Sequence, residues 1–374
     1  MSGTSADGVD AVLADFHGSP NHPRWQLIRH QHSPYPDDLR QQVVRAGQGE
    51  PLPANQWLDL AEAITEAQAK AARSCDPHGE AALVGCHGQT VWHRPPLGQR
   101  RGASWQVLQA PLLAQLLNRP VVHDFRAADL ALGGQGAPLV PKADAALLGG
   151  THGWRALLNL GGIANLTLIP PRCGPERNAS VQGWDCGPAN SLIDLAVQQF
   201  SNGSLTFDHG GAMAKLGQSD ETSIHRWLKE PYFQSAPPKS TGRELFGEAN
   251  LQERLNDLGK PCSSHDAMAT LTSFSAAVVA HDLEQLMKRD QIRPLELIVA
   301  GGGRNNPVLM HELQRRCRGI QVSSSDELGL PVEAREALVF ALLAWWHQRQ
   351  YPANAPSITG AKREAVLGVM VHPV

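Results

Sequence analysis

Ser2-Gly3-Thr4-Ser5-Ala6-Asp7-Gly8-Val9-Asp10 runs directly into an apolar stretch ending at Leu13, the build of a glycine-rich turn joined to a strand. Far along the chain, Asn159-Leu160-Gly161-Gly162-Ile163-Ala164-Asn165-Leu166-Thr167 repeats that build. Glycines let successive backbone N–H groups crowd toward one point, and hydroxyls at Thr4, Ser5 and Thr167 add donors, so each turn suits phosphate oxygens. Two such turns, one per lobe, predict a clamp on a triphosphate. In the first, Asp7 and Asp10 put hard oxygens beside the phosphates, the place for Mg2+ held through water. A third segment, Val299-Ala300-Gly301-Gly302-Gly303-Arg304-Asn305-Asn306-Pro307, reads as a buried strand emptying into glycines before a helix. Ligands gather at the carboxyl ends of such strands, and three glycines leave room for adenosine. No G-x-x-x-x-G-K-[ST] occurs, and no G-x-G-x-x-G follows a strand, so neither a P-loop nor a dinucleotide fold competes.

Outward from these turns the chain alternates sheet and helix, predicting an α/β fold. Residues 9–13 and 25–29 read as a hairpin, 37–45 and 55–73 as helices, 81–86 and 121–122 as strands, and 110–117 as a helix. After the Gly- and Pro-rich segment 133–141, sheet resumes over 155–169, with helices over 190–199, 268–287 and 307–316 around a buried strand at 297–300. A chain of 374 residues is too long for one core, so two lobes with a cleft are expected, over 1–130 and 131–374, with a C-terminal tail able to pack back on the first. A formal net charge of −3 gives no general attraction for polyanions, which argues against nucleic acid. The apolar run 337–346 is about half of what a membrane-spanning helix needs and predicts a buried helix. The absence of a basic, then apolar, leader predicts a cytoplasmic location and no membrane partner. Six cysteines without a Cys-x-x-Cys pair predict free thiols.

Between the second and third segments lies Gly183-Trp184-Asp185-Cys186-Gly187-Pro188-Ala189-Asn190. The Gly-Pro step breaks the chain before a helix and predicts Asp185 at the helix start, facing the cleft. A carboxylate there suits a general base, which phosphoryl transfer needs to deprotonate the nucleophile. A plain helix cap is the competing reading.

The motifs Met1-Ser2-Gly3-Thr4-Ser5-x-Asp7-Gly8-x-Asp10, Cys86-His87-Gly88-Gln89-Thr90, Asn159 through Asn165, Asp185-x-Gly187-Pro188-x-Asn190 and Gly301-Gly302-Gly303-x-x-Asn306 resemble those of the anhydro-N-acetylmuramic acid kinases of bacterial cell-wall recycling, in order, spacing and coverage. The resemblance implies a two-domain actin/hexokinase-like fold, ATP with Mg2+, an amino-sugar substrate and a homodimer. It implies that water opens the 1,6-anhydro ring of the sugar while O6 takes the γ-phosphate, with Asp185 as base. ATP and phosphate contacts fall on Gly3, Thr4, Ser5, Ala6, Asp7, Gly8, Val9, Asp10, Asn159, Gly161, Gly162, Gly301, Gly302, Gly303 and Asn306. His87, Gln89, Thr90, Asp124, Arg126 and Glu336 are the substrate-binding candidates. The Arg126 fork suits the lactyl carboxylate of muramic acid, whereas Glu336 competes with a solvated helix face. Lys239-Ser240-Thr241-Gly242-Arg243-Glu244 also matches the family, with a plain surface loop as the other reading. Family members carry a short apolar strand before the first motif, so a native start upstream of Met1 is expected. A kinase for another amino sugar and a non-catalytic ATP- or sugar-sensing protein on the same scaffold stay open.

Overall fold

The computed structural model describes residues 1–3, 6–98, 100–237, 239–242, 245–259 and 262–374. Thr4 and Ser5, expected to donate to phosphate, and Arg243 and Glu244 lie outside the described residues. The chain forms two compact units, Met1–Leu148 with Gly329–Val374, and Gly149–Leu328.

The first unit opens with β1 (Gly8–Ser19) and β2 (His22–Pro34), a long antiparallel hairpin. The ladder pairs Gly8 with Pro34, and a Cβ on Gly8 would stand 2.4 Å from the Ser33 carbonyl oxygen, so only glycine lets the hairpin close there. Helix Ala54–Cys75 follows helix Asp37–Gly47 and buries Leu60, Ile64 and Ala71 on one stripe, as helical spacing of apolar residues dictates. Next come β3 (Val84–Gly85), β4 (Gln89–Arg94), β5 (Ala103–Val107), helix Ala110–Leu117 and β6 (Val121–His123).

The expected lobe boundary near residue 130 moves to Leu148, because helix Val140–Leu148 belongs to the first unit. Trp25 Nε1 donates to the Leu147 carbonyl at 3.0 Å, and the fully buried Asp144 carboxylate pairs with Arg335 of the returning chain.

The second unit is built on one five-stranded sheet of β7 (Arg155–Leu160), β8 (Ile163–Ile169), β9 (Gln182–Pro188), β10 (Glu296–Ala300) and β11 (Gln321–Ser324), in the order β11-β10-β7-β8-β9. β7, β8 and β9 form an antiparallel meander, while β10 lies parallel to both β7 and β11. Leu297, Ile298, Val299 and Ala300 are wholly buried, which is why this strand reads as an unbroken apolar run. Helix Asn190–Phe200 and the 27-residue helix Ser264–Asp290 share its core with Trp184, Phe233 and Phe274. The chain then returns to the first unit as helix Val332–Gln348 and β12 (Val369–Val371), antiparallel to β6. Among the described residues no helix is long and apolar enough to cross a membrane.

Candidate active site

In the first unit the turn before β1 is held from below by Gln89. Its Nε2 donates to the Gly3 carbonyl at 3.0 Å, and its Oε1 accepts from Ser2 Oγ and from the Tyr35 hydroxyl. The Gln89 side chain is wholly buried among these partners and braces the turn. Ala6 and Val9 are core residues and leave only their backbone to a ligand, with Ala6 at φ 51°. Asp7 is exposed. Asp10 is half-buried, and its Oδ1 accepts from His30 Nε2 and His32 Nδ1, both at 3.1 Å.

Around this turn, His87 and Arg126 form a second layer. His87 is buried, its Nδ1–H donates to the Gly88 carbonyl at 3.0 Å, and its Nε2 accepts from Arg126 Nε and Nη2 at 3.1 and 3.0 Å. Burial, with the Arg126 guanidinium and the Met1 ammonium nearby, pushes its pKa down to about 3, so the ring is a neutral acceptor. Arg126 Nη1 donates to the Gly136 carbonyl at 2.7 Å, and burial lowers the guanidinium's pKa against the pull of the Glu336 carboxylate. The fork expected to bind a carboxylate thus has one whole edge on His87. Glu336 is exposed on helix Val332–Gln348, and Asp124 is exposed at φ 54°. Thr90 Oγ1 accepts from Gln106 at 3.2 Å. Asp129 is a wholly buried hub that accepts from Gly136 N, Asn354 Nδ2 and Thr359 Oγ1.

In the second unit the expected elements converge at one end of the sheet. The Gly161-Gly162 turn joins β7 to β8, and its carbonyls accept the first N–H groups of helix Asn190–Phe200, from Asn190 at 3.1 Å and Ser191 at 3.0 Å. Asn190 Nδ2 donates to Leu160 and Gly161 carbonyls, locking helix to turn. Gly301, at φ +84°, lies so close that a Cβ would stand 2.7 Å from the Leu160 carbonyl and 2.8 Å from Asn159 Oδ1. Gly302 has nothing within 4 Å of its Cβ direction, leaving that face open. Asn306 Oδ1 caps helix Pro307–Arg316, accepting from Val308 N at 3.1 Å and Leu309 N at 3.2 Å. Thr167 is buried along β8, away from the turn where a hydroxyl donor was expected.

Asp185 lies within strand β9, not at the start of the following helix. The ladder to β8 places it opposite Asn165, and Asn165 in turn opposite Asn159 across the turn hairpin. Asn165 Nδ2 donates to Oδ1 of Asp185 at 2.8 Å, while Ser240 Oγ and Thr241 N donate to Oδ2, both at 3.0 Å. A carboxylate has about four lone-pair sites, so three donors orient it and leave room on Oδ1 for one more proton donor. Sequence reading missed Asn165, Ser240 and Thr241 as partners. The signals were the pair of asparagines flanking the glycine turn and the family match over Lys239-Ser240-Thr241-Gly242.

Mg2+ characteristically keeps several waters and takes one or two carboxylates plus phosphate oxygens. Exposed Asp7 and Asp10, whose Oδ2 is not engaged by the two histidines, fit that demand, and among the described residues no cluster of three or more metal-binding side chains exists. A cavity of about 950 Å³ opens in the first unit between β1 and β3, lined by residues such as Val12, Ala14, Ala82 and Trp345. Its lining residues all belong to the first unit.

Two α/β units, glycine turns at sheet ends and a donor-held carboxylate on the strand beside one of them supply the parts a phosphotransferase needs. The family model of anhydro-N-acetylmuramic acid kinase matches residues 1–373. A protein of that description from Synechococcus sp. (strain CC9902) is 84% identical, covering 100% of this chain and 98% of that protein. Others from Synechococcus sp. (strain CC9605) and Prochlorococcus marinus (strain MIT 9303) are 69% and 68% identical over the same shares. The chain belongs to the anhydro-N-acetylmuramic acid kinase family.

Proposed function

We propose that this chain converts 1,6-anhydro-N-acetylmuramic acid, ATP and water into N-acetylmuramic acid 6-phosphate and ADP, a step of peptidoglycan recycling. Water attacks the anomeric carbon as Asp185 takes its proton. The C1–O6 bond breaks, and O6 receives the γ-phosphoryl group as ADP leaves. The observation that carries this reading is the Asp185 carboxylate: three donors aim it, Oδ1 retains one accepting site, and it sits one strand from the Gly161-Gly162 turn.

Phosphate contacts are assigned to the backbone of Gly3, Ala6 and Gly8 and to Gly161 and Gly162, with adenosine on the open face of Gly302. Asp7 and Asp10 would hold Mg2+, which when bound would neutralise charge at the transferring group. Arg126 and Glu336 face the sugar. A cytoplasmic homodimer completes the reading.

Purified protein given ATP and Mg2+ is offered 1,6-anhydro-N-acetylmuramic acid, N-acetylmuramic acid or N-acetylglucosamine, with product phosphates identified by 31P NMR. Turnover of the anhydro sugar to a 6-phosphate is expected. Turnover of another amino sugar with none of the first overturns the substrate, and ATP binding without any turnover favours a sensing protein.

A further inference from the structure

The segment that aims Asp185 is itself anchored by a buried charge pair. Lys239 Nζ lies 2.9 Å from Asp282 Oδ1 on helix Ser264–Asp290, and both side chains are only 5% exposed. That ammonium is therefore withdrawn from solvent and from any phosphate. The other oxygen of Asp282 accepts from Trp184 Nε1 at 2.9 Å, and the Cys186 thiol faces the same carboxylate. Trp184 and Cys186 flank Asp185 on β9, where alternation turns both inward and leaves Asp185 on the opposite face. One buried carboxylate thus gathers both sequence neighbours of Asp185.

Lys239 reaches Asp185 a second way, through its backbone. Asp185 N donates to the Lys239 carbonyl at 3.0 Å, and the next two residues supply Ser240 Oγ and Thr241 N to the Asp185 carboxylate. The Tyr232 ring sits 5.0 Å below the Lys239 ammonium, and its hydroxyl donates to the Asp185 carbonyl at 2.8 Å. A buried ion pair is weak support for stability, since apolar residues of similar size replace it with little loss. Its connections here run to one functional side chain.

We propose that Lys239 and Asp282 form a positioning pair whose buried contact fixes segment 239–241 and thereby the aim of the Asp185 carboxylate. The proposal rests on the reading of Asp185 as the base. Neither residue touches the reacting atoms.

The test is the double variant Lys239→Met with Asp282→Leu, which removes both charges together and avoids a lone buried one. Amide exchange at Asp185 and Thr241 is expected to quicken at least tenfold while β10 amides keep the parent rate. With the anhydro sugar, kcat falls about 100-fold, the loss typical of a misplaced catalytic group, and KM for ATP stays within about twofold. In an Asp185→Asn background the pair adds no further loss of kcat. Parent exchange rates, parent kcat, or an additive loss each overturn the proposal. If the parent protein does not turn over the sugar, the functional reading has failed and exchange alone decides the positioning claim. If the double variant does not fold, Lys239→Arg is measured instead. At least threefold changes of the same pattern are then expected, and parent values overturn it.

Discussion

Gly301 and Gly302 are adjacent yet face opposite constraints, so one methyl group at each separates packing from nucleotide binding. At Gly301 an alanine would hold φ +84° and press its Cβ to 2.7 Å from the Leu160 carbonyl, backbone that cannot move aside cheaply. With ψ at 170°, this is backbone that essentially only glycine adopts, which costs alanine about 1–3 kcal/mol, and overpacking against β7 adds about 1–3 kcal/mol. Gly301→Ala is therefore expected to lose about 2–6 kcal/mol, which lowers the second unit's thermal midpoint by roughly 4–24 °C at about 2–4 °C per kcal/mol. At Gly302 the methyl meets no protein atom within 4 Å, so stability stays within about 0.5 kcal/mol of the parent. The same methyl occupies the space assigned to adenosine, where about 1–3 kcal/mol of crowding raises KM for ATP about 5- to 150-fold. Thermal unfolding and steady-state kinetics on both variants provide the assay. A Gly301→Ala protein as stable as the parent would refute the packing argument, and an unchanged ATP KM in Gly302→Ala would remove the nucleotide from this face.

His87 ties stability to pH. Its folded pKa of about 3 lies below the ordinary 6.5, so the unfolded chain takes up the proton first. The contribution is complete above pH 6.5 and disappears as pH falls toward 3, at up to about 1.4 kcal/mol per pH unit. Urea midpoints measured from pH 6.5 to 5 should fall steeply in the parent and more gently in His87→Asn; equal slopes would contradict this. Glu312 acts lower: against burial, which raises its pKa, Arg315, Ser273 and Arg316 hold it at about 2, so its share is lost from pH 4.5 downward. Asp129→Ala leaves Gly136 N without its acceptor, at about 1–3 kcal/mol, and takes one hydrogen bond each, about 0.5–1.5 kcal/mol, from Asn354 Nδ2 and Thr359 Oγ1, which keep the Arg363 and Ala355 carbonyls, so a loss of about 2–6 kcal/mol is expected in chemical denaturation. A loss under about 1 kcal/mol would show that water or a rearranged loop takes the carboxylate's place.

What could be read in advance was what local chemistry decides. Helices Ala110–Leu117 and Pro307–Arg316 carry proline in their first turn, and the latter adds an asparagine cap, so their starts were legible to the residue. The strand at 297–300 was legible because burial on both faces leaves no polar alternation. Asp185 was legible as a functional candidate but not as a strand residue, since Gly183, Gly187 and Pro188 all speak against a strand. Its extended form comes from the ladder to β8 and from the Lys239 carbonyl, 54 residues away in sequence. The bracing contacts of Gln89 were hidden for the same reason: its partners Ser2 and Gly3 lie on the far side of the hairpin and two helices.

The most direct measurement is ATP-dependent ring opening of 1,6-anhydro-N-acetylmuramic acid by the parent protein and by Asp185→Asn, with ATP binding followed in parallel. The account predicts 6-phosphate product from the parent, a kcat reduced at least about 100-fold in the variant, and nucleotide affinity within a few-fold of the parent. Turnover by Asp185→Asn at the parent rate would contradict it.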